Sequence, residues 1–465
     1  MAPSVTCSIQ GCEQPTIITR PFCTDCCKSH CWDHIEDSTT HPCFGRERVP
    51  FQPRDESELI AFHTEESLKI IQNLNSEAIK AEVEALRPNH KCAVVHTPTT
   101  VDQLQQLTGG YNSHVIIEFD DGQKWVMRIR RREWKKGHPE EALRMNVLSE
   151  VATMRALSRA GIPAPNAWAP PNDSQASALP THQYLYEEFC PGNDAHLLAL
   201  NFFFNEKEQI FVRSYAEWMI KLDSLSFDKV GSLTFSTEGE IVVGPLIERE
   251  PHSHTEPYFI GPFNTAKEMF VAKMDVWMKE TVEKKRYLPS EELVSYLMLL
   301  EARALVEGCK EMEQGPWYLK HTDERGDHFW ANEKGELVNI IDWEWASLVS
   351  KGEAFASPAL FVRIASDDRL SEREIALIEA YEELGRPDLG DHVRSGRKFR
   401  LLAEVMRTAD DVENLNALRQ AFLGSTNDNA QPPETIEEWV RIATLRYSQD
   451  SGLATILSRA RASLK

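Results

Sequence analysis

Two periodicities divide the chain into a short β-rich stretch and a long helical one. From about residue 57 to 87, apolar residues recur at helical spacing, as in LIAFHTEESLKIIQNL, and predict one or two helices. The period changes in residues 107–132, which begin LTGGYNSHVIIEFDDGQKWVMRIRR. HVIIEF and QKWVMRI read as strands, and Asp121-Gly122 between them predicts a hairpin turn. In the second strand Trp125, Met127 and Ile129 share one face, while Val126, Arg128 and Arg130 share the other. The next segment, EEALRMNVLSEVATMRALSRAG, returns to helical spacing, with Leu143, Val147, Val151 and Met154 in one stripe. Glu150 falls inside that stripe, and an acid so placed needs a cationic partner. After the turn GIPAPNAWAPP comes YLYEEFCPG (184–192), a strand closed by Pro-Gly. Helical patterns dominate beyond it, as in VRSYAEWMIKLDSL, AKEMFVAKMDVWMKETV, SEELVSYLMLLEARALV, REIALIEAYEELG and KFRLLAEVMRTADDV. A small β-rich part followed by a large helical part predicts two unequal lobes.

Length and charge narrow the function classes. At 465 residues the chain has room for two to three domains. A formal net charge of −21 disfavours nucleic acid and anionic membranes as partners. The basic run RIRRREWKK at 128–136 reads as a solvated strand end and loop in preference to a local basic binding surface, the second reading it allows. The opening MAPSVTCSIQ has neither a positive start nor an apolar run, so no secretory signal is expected. LVSYLMLLEARALV (293–306) is too short and too charged to span a bilayer. A cytoplasmic location is expected, with the nucleus left open, and there thiols stay reduced.

Cysteine placement adds a second feature. Seven of the ten cysteines lie within the first 43 residues, whereas Cys92, Cys190 and Cys309 are scattered. Cys7, Cys12, Cys23, Cys26, Cys31, His34, His41 and Cys43 follow the spacing C-x4-C-x10-C-x2-C-x4-C-x2-H-x6-H-x-C. In a reducing compartment this density implies metal, and eight such ligands supply two closed, structural tetrahedral Zn²⁺ sites. So short a segment has little core, and metal binding would supply much of its folding free energy. The order resembles the AN-one-type zinc finger, a small cross-braced module. That resemblance implies one ion on Cys7, Cys12, Cys31 and His34 and another on Cys23, Cys26, His41 and Cys43. It also implies a protein partner. Four residues separate the first pair where two are usual, and Cys27 and His30 stand as spare ligands. FGRERVPFQPRDE (44–56) reads as a linker.

The densest chemistry lies at 318–346, YLKHTDERGDHFWANEKGELVNIIDWEWA. Phosphoryl transfer needs an acid at the nucleophile's proton, one or two metal ligands, and a cation on the nucleotide phosphates. Two registers fit. Asp327 with Asn332 has the D-x4-N spacing, while His321-Thr322-Asp323 forms an H-x-D loop with His328 at the ligand position. The ligand should immediately precede a short apolar strand, and Phe329-Trp330-Ala331 follows His328 directly. Asn332–Gly335 then turns, and LVNIID returns to deliver Asp342. This favours Asp323.

These segments resemble the aminoglycoside phosphotransferase and choline kinase-like family, particularly a fungal branch with loops of the form K-H-x-D-x-K-G-D-H. LKHTDERGDHFWA and NIIDWEWA match, as do GGYN (109–112), WVMRI, SEVATMRAL, IPAP, EFCPG, FDKVGSL and EAF, over roughly residues 95–365. The resemblance implies an α+β, two-lobed protein-kinase-like fold. The expected layout is a cross-braced zinc module at 1–45, linker and connecting helices at 46–95, an N-lobe at 96–192 and a helical C-lobe at 193–465. It further implies ATP and Mg²⁺ as cofactors, Asp323 as catalytic base, and Asp342 with His328 at the Mg²⁺ position. Arg128 would meet the α- and β-phosphates, held by Glu150. Backbone groups around Glu188–Cys190 would meet adenine, and Gly109 and Gly110 would approach the phosphates. Arg128 stands where the family has Lys, Arg325 at another usual Lys, and His328 where it has Asn. Two readings follow: an ATP-dependent phosphotransferase acting on a hydroxyl of a small molecule, or a kinase-like scaffold whose zinc module recruits a protein.

Overall fold

The computed structural model describes residues 56–133, 136–171, 177–195, 204–289, 291–362, 369–407, 412–424 and 433–462. The Cys/His cluster and the linker after it, up to residue 55, lie outside the described residues. The chain divides into two units, residues 1–65 and 66–465, and the sheet, the helical part and the candidate site all belong to the second. The architecture is α+β, with a small sheet and a large helical part.

Alternation in the hairpin sequence becomes a five-stranded antiparallel sheet. Its strands are β1 (Cys92–Val95), β2 (Asn112–Phe119), β3 (Lys124–Arg130), β4 (Ala167–Trp168) and β5 (Tyr184–Glu188), in the order β1-β2-β3-β5-β4. Gly122 turns the β2–β3 hairpin at φ +84°, a conformation that costs a residue without Cβ least. Trp125, Met127 and Ile129 enter a core with Val115, Ile117, Tyr184 and Tyr186. Helix Ser76–Leu86 closes that core with Ile79 and Val83. Asn75 caps the helix, its side chain accepting from the Glu77 and Ala78 amides. β1 lies inside the stretch expected to be linker and connecting helices, and it pairs with β2 as the edge strand. Four residues, CAVV, carry too little period to mark a strand by themselves.

Helix Glu140–Arg159 turns its stripe the other way. Val147, Val151 and Met154 join the large core built by helices Glu206–Leu222, Ala266–Val282, Glu292–Glu307, Glu372–Glu383 and Arg397–Arg407. The short strands of the helical part are β6 (Asn193–Asp194), β7 (Ser226–Phe227), β8 (Ser232–Phe235), β9 (Ile241–Gly244), β10 (Trp317–Lys320), β11 (Phe329–Ala331), β12 (Leu337–Ile340) and β13 (Ser347–Val349). They pair as β13-β10-β7, β12-β11-β6 and β8-β9. β10 therefore leads into the loop 321–328, and β11 and β12 carry the chain out of it and back to Asp342. Among the described residues no helix is long and apolar enough to cross a membrane.

Candidate active site

Strand β3 supplies the first charged groups. With Trp125, Met127 and Ile129 in the sheet core, the opposite face presents Arg128 and Arg130, both buried. One Arg128 nitrogen, Nη1, lies 2.7 Å from Glu150 Oε1 and 3.4 Å from Glu187 Oε2, while Nη2 lies 2.7 Å from Asp342 Oδ1. Arg130, two residues along the same face, pairs with Glu344, two residues beyond Asp342. The two-residue period of β3 is thus matched by the Asp342-Trp343-Glu344 turn. Trp343, between the two acids, points instead into the large core and stacks on Trp218.

Asp342 stands at φ +61°, in the left-handed region that Asp tolerates better than most residues. Burial opposes its ionisation, yet Arg128 and His328 overcome this and hold its pKa at about 2. Burial pushes Glu150 and Glu187 upward against the pull of Arg128. Three carboxylates thus surround one guanidinium, which must offset more negative charge than it carries. Glu344 is pushed up to about 7 by burial and by Asp342, which together outweigh Arg130. Because that value lies above an unfolded glutamate's, its stabilisation is complete below about pH 4 and is lost as pH rises through 7. Glu344→Gln should therefore flatten the fall in melting temperature between pH 5.5 and 8, a difference on the order of 2–4 °C. Thermal melts of both proteins across that range check it.

The loop after β10 holds its acids by short local bonds. The Asp323 amide donates to His321 Nδ1 at 3.1 Å, so the His321 proton resides on Nε2, which donates to the Ile341 carbonyl at 3.0 Å. Burial and the adjacent His328 lower the His321 pKa, which keeps it the neutral brace between loop and returning strand. Arg325 grips both Asp323 oxygens, at 2.6 and 2.7 Å, and reaches Asp327 Oδ2 at 3.5 Å. Gly326, at φ +109°, lets the loop turn there, where a Cβ would lie 2.7 Å from Leu360 Cδ1. His328 lies within 4 Å of Asp323, Asp327 and Asp342 at once.

The fold thus gathers Asp323, His328, Asp342, Arg128 and Glu150 around one spot. Gly109 and Gly110 precede Tyr111, whose ring meets Trp345 edge-on at 5.1 Å, three residues past Asp342. A Cβ on Gly110 would meet nothing within 4 Å, so packing does not demand glycine there. At the end of β5 the Glu188 carboxylate accepts from Gln123 and Asn166, and its amide donates to the Asn166 carbonyl. The Cys190 thiol is pushed up to about 12 by burial and is no nucleophile.

No protein-family model matches the chain, and no curated protein matches it. The chain is similar in structure to aminoglycoside phosphotransferases. The gentamicin complex of APH(2″)-IIa aligns at 12% identity and a TM-score of 0.43, covering 76% of this chain and 97% of that one. ADP-bound APH(2″)-Ib aligns at 10% and 0.42, covering 75% and 99%. A candidate aminoglycoside phosphotransferase from Ralstonia eutropha JMP134 aligns at 14% and 0.44, covering 80% and 98%.

Sequence reasoning passed over Glu187, Arg130 and Glu344 as members of this cluster, and weighed Asp327 only as the acid of the alternative register. Arg130 was legible as the second arginine on the polar face of β3. Glu187 was not, because its strand is buried on both faces and YLYEE shows no alternation. His328 Nε2 lies 3.4 Å from Asp342 Oδ2, so this pair could offer one nitrogen and one oxygen to a divalent cation.

Proposed function

We propose that the protein is an ATP-dependent phosphotransferase acting on a hydroxyl of a small molecule. The observation that carries this reading is the meeting of Asp323 and Asp342 at one imidazole, beside a strand arginine paired with a helix glutamate. Asp323, 30% exposed, is accessible enough to take a hydroxyl proton once Arg325 moves aside. Arg128 offers positive charge to the α- and β-phosphates, and Glu150 keeps its guanidinium in place. Asp342, with His328 beside it, would hold a divalent cation, Mg²⁺ in the family this chain resembles. Such a cation neutralises charge on the β- and γ-phosphates when bound. Backbone groups at Glu188–Cys190 would receive adenine, and Gly109 and Gly110 would pass close to the phosphates. At 1–45 we propose two structural zinc ions on the eight Cys and His ligands, in a module that contacts a protein. Metal analysis of reconstituted protein should return two zinc ions per chain, and a content well below that argues against paired sites.

The direct test is incubation with Mg-ATP and a panel of amino alcohols, sugars and aminoglycosides, beside Asp342→Asn. Turnover that disappears in the variant supports the enzyme. Because space is open at Gly110, Gly110→Val should leave the melting temperature unchanged while weakening nucleotide binding by about ten-fold. Equal nucleotide affinity in the two proteins would remove Gly110 from the site.

One observation favours the scaffold reading. Both acids are already engaged by the chain's own cations, Asp342 by Arg128 and Asp323 by Arg325. Nucleotide binding without turnover across the panel and several divalent metals would decide for it.

A further inference from the structure

Two residues in the turn after β12 take the left-handed conformation without being glycine, Asp342 at φ +61° and Trp345 at φ +60°. Aspartate tolerates it, whereas a bulky side chain does not, so its surroundings must enforce the position of Trp345. Those surroundings lead back to the glycine turn before β2. The Trp345 ring meets Tyr111 edge-on at 5.1 Å, and the Arg130 guanidinium lies 5.0 Å from the Trp345 centroid and 5.3 Å from that of Tyr111. The Trp345 indole N–H is enclosed and has no hydrogen-bond partner among the described residues, so ring contacts hold it. Arg249, gripped by Glu133, lies 4.6 Å from the Tyr111 centroid. Asn112, with its amide turned to satisfy both ends, donates to the Tyr111 carbonyl at 3.2 Å and accepts from Arg128 Nη2 at 2.9 Å. Turned the other way, it gains only a 3.5 Å contact with Glu344 Oε2. That same Arg128 nitrogen bonds Asp342 Oδ1 at 2.7 Å. Arg130 faces Asn112 across the β2–β3 ladder and pairs with Glu344. The glycine turn closes on itself, its Gly109 amide donating to the Asn112 carbonyl at 2.8 Å. It is therefore joined to the 342–345 turn through Arg128, Arg130 and the Tyr111–Trp345 rings.

We propose that Tyr111 and Trp345 are positioning residues, which with Arg130 clasp the glycine turn to the Asp342 turn and fix the gap between them. That nucleotide phosphates enter this gap rests on the phosphotransferase reading, but the clasp itself does not. Two adjacent glycines leave a turn conformationally free. Tethers that remove this freedom beforehand reduce what a ligand must order on binding. The effect should be confined to the phosphate end of a nucleotide. Glu188, where adenine would be met, pairs with Trp125 at the opposite end of β3 from Arg130.

The test uses the full chain and two readouts. Hydrogen exchange of the segment 107–114, without nucleotide, reports the clasp. Calorimetric affinities for adenosine and for a non-hydrolysable Mg-ATP analogue report phosphate placement. Tyr111→Leu and Trp345→Leu should each speed exchange at 109–112 and weaken the analogue by about ten-fold, with adenosine unchanged. The double variant should weaken it no further, because all three lose one shared contact. Tyr111→Phe, which keeps the ring, should restore both readouts. Exchange unchanged in both leucine variants would mean that the turn needs no clasp. Faster exchange with equal losses for adenosine and the analogue, or with no loss for either, would reduce the rings to ordinary packing. Each of these results overturns the proposal. If the unaltered protein binds neither ligand while exchange responds as expected, the phosphotransferase reading falls and the clasp stands as a tie between two turns. If nucleotide binds and exchange is unmoved, the clasp alone falls.

Discussion

Arg128→Met is expected to lower the unfolding free energy by about 3–5 kcal/mol, the range for breaking a buried ion pair from one side. Arg128 is 5% exposed, and the side chains it faces, Glu150, Glu187 and Asp342, are 4%, 11% and 20% exposed. Methionine would fill much of the same volume, so the loss would come from stranded charge and not from a cavity. The double variant Arg128→Met/Glu150→Gln should recover part of it, because a neutral amide at 150 needs no countercharge. Urea unfolding of the three proteins checks the point. A single-variant loss under about 1 kcal/mol would mean that the carboxylates shed their charge without cost.

A second large effect is expected at Asp323. If it is the base, Asp323→Asn lowers turnover by about 10²–10⁴-fold, the span usual for general acid–base groups. Stability should barely move, since the only charge partner within 3 Å among the described residues is the mostly exposed Arg325. Nucleotide affinity should also hold, because Asp323 makes no bond to Arg128, Glu150 or the β5 end. Single-turnover phosphate transfer, read beside equilibrium nucleotide binding, separates the two quantities. Unchanged turnover in the Asn variant would take the base role from Asp323. The alternative register then points to Asp327.

These two residues also mark where sequence reading stops. The polar face of β3 could be read from period alone, and Glu150 announced its need for a cation by sitting within an apolar stripe. That Arg128 answers it, and also grips Asp342, could not be read. The partners are 22 and 214 residues away in sequence. The loop register was legible because a ligand position and a short apolar strand are local features, and β11 does begin directly after His328. The engagement of Asp323 by Arg325 had no such signal, since any residue two along a loop can turn either way.

Sequence by itself determined the strand faces, the helix stripes, the turn at Gly122 and the grouping of acids at 318–346. Each of these follows from interactions within a few residues, whose geometry the backbone period dictates. Tertiary structure alone decided that β1 and helix Ser76–Leu86 close the sheet core, and that Glu187 joins the arginine cluster. It also decided that His328 faces three carboxylates. Those outcomes depend on how elements far apart in the chain pack together, and on the burial that then shifts each carboxylate's affinity for a proton.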